Sequence, residues 1–124
     1  MPLKNSRPAI LVVDDEPVIL HLITTSLEGE GFAVTSVLDP AAGLREFERG
    51  TFDAVISDRC MPAMSGEEFA GAIKARSPST PVLLISGHHP CSIDVTRIDA
   101  FLPKPFTRSQ LLAALLDLLP VGTR

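Results

Sequence analysis

At 124 residues, 45% of them hydrophobic and 21% charged, the chain is long enough for one domain with a full hydrophobic core. A net charge of −4 leaves no basic footprint for nucleic acid or an anionic membrane surface. The N-terminal "MPLKNSRP" lacks the apolar centre of a secretory signal, "LLAALLDLLP" is too short to span a bilayer, and Cys60 and Cys91 make no disulfide framework. A cytoplasmic protein is expected, a single domain over 1–124 with its core at about 9–119.

Along the chain, "AILVV" (Ala9–Val13) is a continuous apolar run that ends at Asp14, as a strand buried on both faces does. After "DDEP", Ile19, Leu20, Ile23 and Leu27 recur at helical spacing, with Gly29 and Gly31 as stop signals. Phe32–Val37 reads as a second strand. Pro40 opens a helix carrying Leu44 and Phe47, closed by Gly50. "FDAVIS" (Phe52–Ser57) is a third strand that delivers Asp58, and Gly66 precedes a helix with Phe69, Ala72 and Ile73 inward. "PVLLIS" (Pro81–Ser86) and "AFLP" (Ala100–Pro103) supply the fourth and fifth strands. The final helix is "TRSQLLAALLDLL", with Thr107 as its N-cap.

Strands that alternate with helices favour a parallel sheet covered on both faces, because each parallel crossover needs a connecting element. The fold expected is a flavodoxin-like (βα)5 three-layer α/β sandwich with strand order 2-1-3-4-5. In such sheets chemistry collects at the carboxyl ends of the strands, beside the point where the order reverses. Here the first strand ends in Asp14 and Asp15, the third in Asp58, the fourth in Ser86 and the fifth in Lys104.

Singly, each has a plain structural role open to it: Asp14 or Asp15 as a helix cap, Asp58 and Ser86 as turn residues, Lys104 on the surface. Together they make a chemical set. Three crowded carboxylates repel, and a hard divalent cation relieves them; oxygen-only ligands are what Mg²⁺ prefers. A carboxylate so placed is a nucleophile toward a phosphoryl group, with a lysine ammonium and a serine hydroxyl to meet the transferred oxygens.

The motifs "ILVVDDEP", "ISDRCMPAMSG", "PVLLISG" and "FLPKPF", in that order, resemble those of the receiver (phosphoacceptor) domain of bacterial two-component response regulators. The resemblance runs from about Ala9 to Leu119. It implies that Asp58 is phosphorylated and that Asp15 binds Mg²⁺ directly, with Asp14 acting largely through water. It also makes the backbone carbonyl of Cys60 the third protein ligand. Ser86 would follow the phosphoryl group and Lys104 would pair with it. The Lys104–Pro105 bond would be cis, and Phe101 would be the aromatic whose rotamer reports phosphorylation. The implied donor is a phospho-histidine on a sensor histidine kinase or histidine phosphotransfer protein, with no direct nucleic-acid or membrane contact. The chain would then be a switch, either stand-alone or part of a hybrid kinase, and not an enzyme in the ordinary sense.

Two departures from that pattern stand out. "GHHPCSIDVTRIDA" between Ser86 and Phe101 is short and a poor helix former, so the fourth helix is expected to be short or irregular. Arg59, Cys60 and His88 flank the site and would set the phosphoryl lifetime; Cys60, Cys91, His88 and His89 match no recognised zinc spacing. In the last helix Leu111, Leu115 and Leu118 would cover the sheet. Leu112, Leu116 and Leu119 widen the apolar arc, either as more core or as a homodimer surface. Two other functions fit parts of the pattern: an aspartyl-nucleophile phosphatase and a docking domain that is never phosphorylated. The phosphatase reading lacks its Asp-x-Asp, since the first strand gives Asp14-x-Glu16.

Overall fold

The computed structural model describes residues 7–87 and 98–119. Apolar runs form β1 (Ala9–Val13), β2 (Ala33–Val37), β3 (Ala54–Asp58), β4 (Val82–Ser86) and β5 (Ala100–Pro103). They make one parallel sheet in the order β2-β1-β3-β4-β5. Four helices are described: α1 (Pro17–Glu28), α2 (Pro40–Arg49), α3 (Gly66–Arg76) and α4 (Arg108–Leu118).

Alternation along β1 sends Ile10 and Val12 to one face of the sheet and Leu11 and Val13 to the other. The first face is covered by α1 and α4 through Leu20, Ile23, Leu27, Leu111 and Leu115. The second is covered by α2 and α3, chiefly Phe69, Ala70 and Ile73, with Leu44 and Phe47 packed beside them. This is the expected three-layer sandwich. At roughly 1.5–3 kcal/mol for each large side chain removed from water, these two clusters supply the main drive for folding.

Helix starts follow local chemistry. Asp39 caps α2 by accepting from Ala42 N–H at 2.8 Å, with Pro40 in the first turn. Ser65 and Glu68 form a reciprocal capping box on α3, and Thr107 and Gln110 form another on α4. The Thr107 cap is as the sequence predicts. Gly31, at φ +96°, makes the turn from α1 into β2, where a side chain would be strained.

Three details differ from the sequence reading. The third strand begins at Ala54 rather than Phe52 and includes Asp58, because Arg59 N–H donates to Ile85 O (2.7 Å) and carries the pairing past the acid. On α3 it is Ala70, one residue from Phe69, that is fully buried, and Ala72 only partly so. On α4 the buried residues are Leu111 and Leu115, followed at the C-cap by Leu119, rather than a set ending at Leu118. Leu112, Leu116 and Leu118 pack partly buried against the same cluster, so the wide apolar arc serves the core. The stretch expected as the short fourth helix, with His88, His89 and Cys91, lies outside the described residues.

Candidate functional site

Register brings the acids together. Val13 of β1 stands opposite Ser57 of β3, so Asp14 and Asp58 follow side by side at the reversal point of the strand order. β3 in turn pairs Asp58 with Ile85, and β4 pairs Ser86 with Pro103, which sets Lys104 just beyond. Lys104 N–H donates to the Ser86 carbonyl at 2.8 Å, and the Lys104–Pro105 bond is cis.

Carboxylate oxygens of Asp14, Asp15 and Asp58 lie within 4.8 Å of one another. Asp14 and Asp58 are buried and Asp15 is partly so. The Lys104 ammonium stands 3.4 Å from Asp58 Oδ1 and 3.8 Å from Asp14 Oδ2. Asp14 does not cap α1. Its Oδ1 accepts from Glu16 N–H at 2.9 Å, while its Oδ2 is buried with no hydrogen-bond partner. Such an orphaned oxygen is costly inside a protein and is satisfied by a cation. The all-oxygen donor set and this unpartnered atom fit a hard divalent ion.

Electrostatics follow from the crowding. Burial pushes the Asp14 carboxyl up to about 6, and the Asp58 charge adds to this, while the Glu16 N–H and Lys104 oppose it. Burial also raises Asp58, against the pull of Lys104 and with a further push from Asp15. Burial lowers the Lys104 ammonium, but Asp58, Asp14 and Glu16 outweigh it and the net direction is upward. Lys104 is therefore a fixed positive charge at neutral pH.

The other residues named from sequence take the following places. Ser86 is buried at the end of β4, and Phe101 is half-buried in β5 opposite Leu84. Cys60 is exposed and lines a cavity of about 260 Å³ over Asp58, together with Asp15, Glu16, Gly87 and Lys104. A second cavity, about 640 Å³, shares Asp15 and Cys60 and runs along the loop from β3 to α3.

Sequence reading missed three contributors. Glu16 contacts Lys104 at 3.4 Å across 88 positions, which no spacing rule shows. Arg59 and Glu67 form a largely buried ion pair at 2.8 Å that braces the β3–α3 loop. Gly66 opens α3, and its larger role is close approach. A Cβ there would overlap the Asp58 carbonyl oxygen and sit 2.5 Å from Leu84 Cδ1 and 2.8 Å from Arg59 Cα. "MSG" at that distance from Asp58 is the one signal that could have revealed it.

Comparison with known proteins agrees with this geometry. The transcriptional regulatory protein GlrR of Escherichia coli (strain K12) is 35% identical over 120 residues, which cover 93% of this chain and 27% of GlrR. The chain thus spans about a quarter of that relative's length. The chemotaxis protein CheY4 of Vibrio cholerae superposes with a TM-score of 0.86 at 28% identity, over 92% of this chain and 100% of CheY4. The response regulator TrrA of Thermotoga maritima, solved in complex with Mg²⁺-BeF, superposes with a TM-score of 0.84 at 31% identity, over 90% of this chain and 99% of TrrA. The profile of the response regulator receiver domain matches residues 10–116, and the chain belongs to that family.

Proposed function

We propose that the chain is a phosphorylation-controlled signalling switch in which Asp58 accepts a phosphoryl group from a phospho-histidine of a sensor kinase or histidine phosphotransfer protein. One observation carries this reading: three carboxylates with oxygens within 4.8 Å of each other share a site with Lys104, 3.4 Å from Asp58 Oδ1. An Asp58 oxygen attacks phosphorus as the bond from phosphorus to the imidazole nitrogen breaks, and the electron pair stays on that nitrogen. Lys104 supplies positive charge to the transferred oxygens, and Ser86, the last residue of β4, would donate its hydroxyl to them. Asp14, Asp15, Asp58 and the Cys60 backbone carbonyl would hold Mg²⁺, which when bound neutralises charge on the phosphoryl oxygens. Phe101, in the strand that leads to Lys104, is the proposed reporter of the switched state.

A protein donor is favoured by the surface beside the site. A cavity of about 350 Å³ is lined by Ile19, Leu22, Pro105 and Phe106 and shares Gly87 and Lys104 with the phosphoacceptor cavity. Val18, 78% exposed, and Leu22, 50% exposed, extend this apolar rim along α1. Exposed aliphatics on one helix face suit a partner helix better than a small substrate. No helix among the described residues is long and apolar enough to cross a membrane. We read residues 1–124 as one receiver unit and place it in the cytoplasm with its donor.

Incubation with a small acyl phosphate and Mg²⁺, followed by intact mass, tests the proposal. One phosphoryl adduct on the wild type and none on Asp58→Asn is the expected result. Many donor molecules consumed per protein would indicate a phosphatase. No adduct on the wild type would overturn the reading.

A further inference from the structure

Glu16 is the residue at the site that the phosphoacceptor chemistry leaves without a task. It is the N-cap residue of α1, with extended backbone (φ −98°, ψ 110°), yet its side chain makes no capping bond. Its Oε1 instead reaches Lys104 Nζ at 3.4 Å, the same distance that separates Nζ from Asp58 Oδ1. The Glu16 side chain is 61% exposed, whereas that of Lys104 is 18% exposed. The ammonium is thus held between a buried acid and an acid at the rim. Room for this posture comes from Gly87, where a Cβ would stand 3.3 Å from Lys104 Cδ and 3.5 Å from its Cβ.

A phosphoryl group on Asp58 would extend into the cavity that Asp58, Glu16 and Lys104 line together. Its oxygens carry more negative charge than the carboxylate they replace, so they out-compete a solvated rim acid for the ammonium. A flexible four-carbon stem lets the lysine follow. We propose that Glu16 is a positioning residue that clasps Lys104 at the rim of the unphosphorylated site and releases it when Asp58 is modified. The proposal rests on the reading of Asp58 as phosphoacceptor. Two consequences follow. The clasp restrains the lysine before transfer, and its charge at the cavity mouth repels dianionic small donors.

The test uses Glu16→Gln, which removes the charge, and Glu16→Asp, which keeps the charge but shortens the reach by one methylene. The first readout needs neither metal nor donor: acylation of Lys104 by a small active ester, mapped by peptide mass. Lys74, tied at 2.6 Å to Asp99, is the internal reference. Release from the clasp frees the amine from its rim contact, so Lys104 acylation should rise about fivefold in both variants while Lys74 is unchanged. The second readout is phosphorylation by acetyl phosphate with Mg²⁺ at low and high salt. The wild-type rate should climb with salt as the repulsion is screened; Glu16→Gln should be faster at low salt and climb less steeply. Unchanged Lys104 acylation in Glu16→Gln overturns the clasp. A Glu16→Asp variant that behaves as wild type also overturns it, since mouth charge alone would then explain Glu16. If the wild type takes up no phosphoryl group, the phosphoacceptor reading fails, and the metal-free acylation alone decides the clasp.

Discussion

The residue that bears the largest electrostatic cost is Asp14. Its carboxyl is buried, one oxygen has no hydrogen-bond partner, and its pKa is raised from 3.8 to about 6. The folded metal-free chain therefore holds this proton more tightly than the unfolded chain. Folding stability from this group is greatest below about pH 4 and declines as pH rises through 6, by up to roughly 3 kcal/mol. Asp14→Asn keeps the acceptor for Glu16 N–H and removes the charge. Its thermal midpoint without metal should match wild type near pH 4 and exceed it by several degrees at pH 7.5. Mg²⁺ should raise the wild-type midpoint at pH 7.5 and leave the variant where it was. Gly66 gives a second residue-scale prediction. Gly66→Ala forces α3 away from the end of β3, at about 1–3 kcal/mol of overpacking, and should slow Asp58 phosphorylation because the displaced loop carries Cys60. Thermal melts and adduct kinetics on the same variant check both effects.

At the scale of elements, the caps make the helices beside the site separable. Ser65→Ala and Thr107→Ala each remove one half of a capping box and should cost about 1 kcal/mol in denaturant melts. Loss of the Ser65 cap should also slow phosphorylation, since Ser65 lines the larger cavity next to Cys60. Both boxes are legible in the sequence, as Ser65-x-x-Glu68 and Thr107-x-x-Gln110. The strands were the most legible elements, because a sheet buried on both faces writes itself as short apolar runs such as Ala9–Val13. Their ends were less so: Asp58 lies inside β3 because Arg59 N–H continues the ladder, and a charged residue hides that pairing. The buried stripe of α4 was misplaced by one residue for a related reason. With six leucines over 111–119, composition does not choose between spacings of three and four, and only packing against β5 and α1 does.

For the molecule as a whole, the sequence carried the convergence of Asp14, Asp15, Asp58, Ser86 and Lys104, since strand order alone fixes which ends meet. It did not carry the side-chain contacts across that convergence. The Glu16–Lys104 pair, the Arg59–Glu67 brace, and the Asp53 carboxylate that accepts from Ala9 N–H at 2.7 Å depend on rotamers chosen after the sheet has formed. The two layers of the core hold the site on four neighbouring strand ends, so its geometry is set by sheet register rather than by loops. On the proposed reading Asp58, and not the neighbouring acids, is the nucleophile. Borohydride trapping after treatment with acyl phosphate and Mg²⁺ puts this to the most direct test, because an aspartyl phosphate is reduced to homoserine at the residue that carried it. The account predicts homoserine at position 58 alone, dependent on both donor and Mg²⁺. Homoserine at position 14 or 15, or its absence from position 58, would contradict it.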